Sequence, residues 1–241
     1  MNANLVDLGG GPTLLARAVM PDPNFWSPDA PSIYDVTVNL QQHSKILATA
    51  RRSVGLRALG VRDRRIHFEG KNWVLRGVTA SASIARHPAD WHSASAAYVA
   101  EHNIERFVEA SELGVLAIAY VDADGDIPLQ LRQLALHPAA AIAVIRVPPG
   151  KQFKLTGIAP NIILAQTLPA FGAFEPQGWA QAIWAETADA NTLTQLQTMF
   201  EFPIIAVRPL TTPQPLTAAR AACDELQRDL AALGQFAGYV V

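Results

Sequence analysis

The sequence predicts an α/β protein, with a small antiparallel β-sheet unit over residues 1–68 and a degenerate (β/α)8 barrel over residues 69–241. Three observations predict it. Tyr34, Val36, Val38 and Leu40 alternate with Asp35, Thr37 and Asn39, the period of two that marks a half-buried antiparallel strand. The chain changes character near residue 78. From there short apolar runs recur, most of them about 20 residues after the last, as repeated strand–helix units do. No Gly-x-Gly-x-x-Gly follows the first run, which argues against the rival, an open doubly wound sheet.

Taken in order, Pro21, Pro23, Pro28 and Pro31 punctuate a loop that also holds Asp22, Asn24 and Asp29. Strands are expected at 14–20, 34–40, 46–52, 56–63 and 66–68, and 70–72 reads as a turn. Barrel strands are expected at 74–78, 96–100, 115–121, 140–147, 161–167, 180–185, 204–207 and 236–241. Ile104, Phe107 and Val108 share a helix face, and Gly114 is a stop after it. Pro128 stands where a first helical residue belongs, ahead of Leu131 and Leu134. Asn191 is expected to cap a helix carrying Leu193, Leu196 and Phe200. Leu216, Ala219, Cys223, Leu226, Leu230 and Leu233 form a stripe at three- and four-residue spacing that Gly234 ends. Residues 148–160 read as a plain loop, so some barrel helices are expected to be missing.

With 241 residues, 50% hydrophobic and 17% charged, the chain has ample material for a core. A net charge of -2 offers neither a basic footprint for nucleic acid nor a polybasic membrane patch. The longest apolar runs fall far short of the roughly 20 residues of a membrane-spanning helix. The single cysteine, Cys223, excludes an intrachain disulfide framework and any cysteine-based zinc cluster; on its helix stripe it reads as inert core. No signal peptide is visible at the start, and the sequence leaves the compartment open. No motif calls for a cofactor.

Two segments carry a family resemblance. Phe25-Trp26-Ser27-Pro28-Asp29-Ala30-Pro31-Ser32-Ile33-Tyr34 is similar to the Leu-Trp-Ser-Pro-x-x-Pro-x-Leu-Tyr segment in the immunoglobulin-like domain of family 2 β-galactosidases and β-glucuronidases. Val54-Gly55-Leu56-Arg57, followed by Glu69-Gly70-Lys71-Asn72-Trp73-Val74-Leu75-Arg76-Gly77-Val78, resembles that family's Gly-Phe-Arg strand and the run into its first barrel strand. Weaker likenesses continue through Glu105–Arg106–Phe107, Gly114–Val115–Leu116, His137–Pro138 and Pro203–Ile204–Ile205. The resemblance implies a TIM-like barrel preceded by a partial immunoglobulin-like sheet domain. A full sandwich takes roughly 100 residues, so about half of one fits before residue 68, and the family's N-terminal jelly-roll is missing.

The resemblance also implies where catalysis would lie. Family members end the fourth barrel strand with Asn-Glu, the general acid/base, and the seventh with a nucleophilic Glu. A retaining glycosidase needs two such carboxyl groups about 5–5.5 Å apart, at the C-terminal mouth of the barrel. Counted from His137-Pro138, the acid/base position falls on Pro148; counted from Pro203, the nucleophile falls on Arg208. Neither does the chemistry, and a guanidinium opposes an oxocarbenium-like transition state. The supporting arginine falls on Val99 and the third-strand Asp-Glu on Ala119 and Tyr120, while the second-strand histidine survives as His102.

Other acids near strand ends are Glu101, Asp122, Asp124 and Glu186, set against the plain reading that mouth loops are polar. Asp122 to Asp126 reads as a solvated turn because it lacks calcium-loop spacing. His87, His92 and His102 have no metal-motif spacing, and Ser53, Ser81 and Ser83 no nucleophile elbow. Trp73 and Trp184 read as core; Trp91 and Trp179, beside loops, are with His102 the expected ligand contacts. The expected protein is thus a non-catalytic glycosidase relative, binding carbohydrate or serving assembly. The alternative is an active hydrolase using displaced carboxylates. A homodimer through residues 12–68 is expected from the uncovered apolar face of the half sandwich.

Overall fold

A computed structural model describes residues 5–7, 16–79, 87–101, 103–169, 174–187, 189–209, 212 and 214–241. Ser81, Ser83 and His102 lie outside them. Strands β1 (Leu5–Asp7) and β2 (Ala16–Ala18) pair antiparallel. Strands β3 (Tyr34–Gln42) and β4 (Lys45–Val54) form a two-stranded antiparallel ribbon. The alternation in β3 is real, but its burial is not what the period implies. Tyr34 and Val36 are partly covered, whereas Val38 and Leu40 are 50% and 61% exposed. A period of two specifies two faces; only a covering layer makes one of them an interior.

Strands β5 (Leu59–Arg62), β6 (Arg65–Phe68) and β7 (Lys71–Asn72) form a three-stranded sheet. Residues 71 and 72 are therefore strand, and the turn is Glu69-Gly70, both at positive φ. Residue 68 falls inside this sheet, which packs on the barrel through Ile66, fully buried, and through Leu59, Val61 and Phe68.

Eight parallel strands then close into a barrel: β8 (Leu75–Val78), β9 (Ala97–Glu101), β10 (Ala117–Val121), β11 (Ala140–Ile145), β12 (Ile163–Thr167), β13 (Ala182–Ala185), β14 (Ile204–Val207) and β15 (Gly238–Val240). All eight expected runs are strands. The last closes on the first, with Gly238 opposite Leu75 and Val240 opposite Gly77. Gly77 faces the interior: a Cβ there would meet Ile118 Cδ1 and Val240 Cγ2, each at 2.8 Å.

Outside lie α1 (Pro88–Ala94), α2 (Ile104–Leu113), α3 (Ile127–Leu134), α4 (Ala190–Met199) and α5 (Leu216–Leu230). Gly114 closes α2 at φ 69°, as the sequence implies. Pro128 is the second residue of α3 rather than the first, behind the Asp126 cap. In α4 the cap is Asp189, not Asn191; its carboxylate accepts from the Thr192 amide at 2.8 Å and hydroxyl at 2.6 Å. The described residues between β11 and β12, and between β12 and β13, contain no helix. Cys223 is buried on α5, its thiol donating to Gly77 O at 3.3 Å. No helix among the described residues is long and apolar enough to cross a membrane.

Candidate functional site

The C-terminal ends of the barrel strands form the mouth. Which side chains enter it follows from the alternation of strand faces. Tyr120 of β10 and Trp184 of β13 have two strands between them in the sheet, yet their rings meet edge to face at 5.7 Å between centroids. They touch through the barrel interior. Two residues beyond Trp184 and Val144, the same face carries Glu186 and Arg146.

These four side chains form one network. The Trp184 indole N–H lies 3.1 Å from both the Tyr120 hydroxyl and Glu186 Oε1. The Tyr120 hydroxyl donates to Glu186 Oε1 at 3.1 Å, and Arg146 Nη2 stands 3.6 Å from Glu186 Oε2. Burial, and then the negative charge of Glu186, hold the Tyr120 phenol well above its ordinary value near 10. It therefore stays a proton donor at every working pH. The result is a carboxylate held by two donors on aromatic rings, with an exposed guanidinium beside it: a surface suited to hydroxyl-rich ligands.

Of the other acids, Asp122 is occupied within its own turn, its Oδ1 accepting from the Asp124 amide at 3.0 Å. Asp126 caps α3 through the Leu129 amide, at 3.0 Å. Neither Asp122 nor Asp124 joins Glu186. Glu101 ends β9 with its main chain beside Tyr120. Among the described residues no group of three His, Cys, Asp or Glu is placed to hold a metal ion.

The two positions expected from the resemblance to carry the acids, Pro148 and Arg208, follow barrel strands and are not carboxylates. Pro148 follows β11 and lines a cleft of about 420 Å³ with Lys151, Phe153, Gln166 and Glu175. Gln166 and Gln177 brace this cleft: the Gln166 amide donates to Glu175 O at 3.1 Å and accepts from the Gln177 amide at 2.8 Å. Arg208 follows β14 on the outward face, where its guanidinium pairs with Asp229 of α5 at 2.8 Å.

The tryptophans redistribute. Trp91 is 1% exposed and packs edge to face on Tyr98, with ring centroids 5.5 Å apart. Trp179 is 4% exposed and donates to Gln177 Oε1 at 2.9 Å. Both rings are covered, so neither is a sugar platform; loop neighbours in sequence did not mean solvent in space. Trp184, expected as core, is buried but turns its polar edge to the mouth.

The resemblance motifs meet elsewhere, at the N-terminal end of the barrel. The Trp26 indole donates to Ser111 O at 2.8 Å, at the end of α2. Arg57 donates to Pro138 O, to Ala140 O at 2.8 Å and to Asn161 O at 2.6 Å. Burial pulls its guanidinium down to about 9, which still leaves it protonated at neutral pH.

Residues 3–57 match the model of the glycosyl hydrolases family 2. No curated protein matches the chain in sequence. Among solved structures it is similar to an FMN-binding β-glucuronidase from Facaelibacterium prausnitzii, with 14% identity and a TM-score of 0.61 over 94% of this chain and 46% of that one. It is similar to a Bifidobacterium dentium β-glucuronidase complexed with coumarin-3-O-glucuronide, with 10% identity and a TM-score of 0.63 over 94% and 50% of the two chains. A family 2 glycosyl hydrolase from Bacteroides cellulosilyticus follows at 16% identity and TM-score 0.59, over 90% of this chain and 34% of that one. At these identities the likeness is one of fold.

Proposed function

Taking the chain as a relative of the family 2 glycosyl hydrolases that spans about half the length of the β-glucuronidases it resembles, we propose that it is a non-hydrolytic carbohydrate-binding protein. One observation carries this reading. The mouth network contains a single carboxylate, Glu186, tied to Tyr120, Trp184 and Arg146. Double displacement at an anomeric carbon needs a second carboxyl group to protonate the leaving oxygen. Pro148 and Arg208, the residues that the resemblance sets at the family's two acid positions, supply none.

A second reading has its own support. Glu186 already has the donors that orient a nucleophilic carboxylate, and Glu101 ends the strand that pairs with β10. A displaced pair would use these two acids. Chromogenic aryl β-glycosides separate the readings, with a glycan array run beside them. No release above background, together with glycan binding that weakens at least tenfold in Glu186→Gln, is expected. Turnover that disappears in Glu186→Gln or Glu101→Gln would replace the first reading with the second.

A further inference from the structure

We propose that a cleft at the opposite end of the barrel binds an apolar organic anion, of which an aryl carboxylate is the simplest form. The cleft encloses about 810 Å³, within the range of small-molecule sites. It lies between the β5–β6 hairpin tip and the N-terminal ends of the barrel strands, where Ile204 and Ala237 line it. Barrel enzymes keep their chemistry at the other mouth, so this is a binding site and not a second active centre.

Its walls define the ligand. Phe200, Phe202 and Phe236 supply an apolar floor, and Arg64 and Arg65 stand on the hairpin side. Arg64 donates to Gln197 O at 3.0 Å and Arg65 to Gln235 Oε1 at 3.3 Å. Each bond uses one of a guanidinium's five donors and leaves the others for a ligand. Among the described residues no carboxylate lies within 4.0 Å of either. Two guanidiniums that share a cleft with aromatic rings fit a planar carboxylate with an apolar body.

The backbone gives an independent reason to look here. Asp63 and Arg64 are the two turn residues of the hairpin, at φ 49° and 62°. Such turns favour glycine in the second place. An arginine there costs stability to hold a guanidinium on the cleft, and strain of this kind gathers at ligand sites.

The same strain supplies the test. Arg64→Gly removes the charge and relaxes the turn, so the variant folds at least as well as the parent. Calorimetric titration with 2-naphthoate is expected to show one site per chain. Its dissociation constant should rise at least tenfold in Arg64→Gly and in Arg65→Gln, with the thermal midpoint of Arg64→Gly unchanged or higher. The neutral isostere 2-naphthamide should bind at least tenfold more weakly than the anion. No binding of 2-naphthoate at millimolar concentration, equal affinity for the amide, or an affinity indifferent to both substitutions would each overturn the proposal.

Discussion

Gly55 has no room for a side chain: a Cβ there would stand 2.4 Å from Pro138 Cγ, on a ring that cannot swing aside. Two residues on, the Arg57 guanidinium donates to three backbone carbonyls at once. Gly114 is pinned in the same way, since a Cβ would meet Pro28 O at 2.5 Å. The residues that carried the family resemblance, Trp26, Pro28, Gly55, Arg57 and Pro138, thus meet as the dock between the N-terminal segment and the barrel base. They were legible because close approach and buried donors tolerate few residue types. Gly55→Ala is expected to destabilise the protein by about 1–3 kcal/mol through overpacking. Arg57→Ala is expected to cost about 3 kcal/mol by orphaning buried carbonyls. Urea unfolding reads both, and midpoints equal to the parent's would show that the dock bears no weight.

The elements divide by what their neighbours do. All eight barrel strands were legible because strands covered on both faces read as continuous apolar runs whatever the local detail. Strand β7 was not, being two exposed residues with no apolar signal. The α4 cap was misplaced because Asp189 and Asn191 are both good caps, and the side chain that reaches the Thr192 amide decides. The β3–β4 ribbon is the instructive case. On one face Val36, Val38 and Leu40 stand opposite Arg52, Ala50 and Ala48, so an apolar strip lies open, and among the described residues neither outer edge is paired. A second copy pairing along this ribbon remains the expected remedy. Light scattering at micromolar concentration should give a dimer that Leu40→Lys turns into a monomer. A monomeric parent protein would refute it.

At the scale of the molecule the barrel has two unlike ends. The motifs that carry the family resemblance gather at the base, and the mouth is built from residues that periodicity alone does not reveal. Glu186 was legible as an acid at a strand end. Tyr120 and Arg146 were not, because their meaning depends on strand faces meeting through the barrel interior, which no local pattern encodes. The sheet of β5 to β7 goes with the barrel, since Ile66 is buried in its core. One further feature turns this closure into something measurable. Cys223 is the chain's only thiol, wholly buried and pushed up to about 11 by burial. A chromogenic disulfide reagent at pH 8 meets neither an accessible sulfur nor an appreciable thiolate until α5 leaves the barrel wall. The reaction therefore works as a clock for opening. Labelling should be slow in buffer, accelerate with urea in step with the loss of circular dichroism, and be complete within seconds once the chain is unfolded. Rapid labelling in buffer would mean that α5 detaches while the eight strands stay closed.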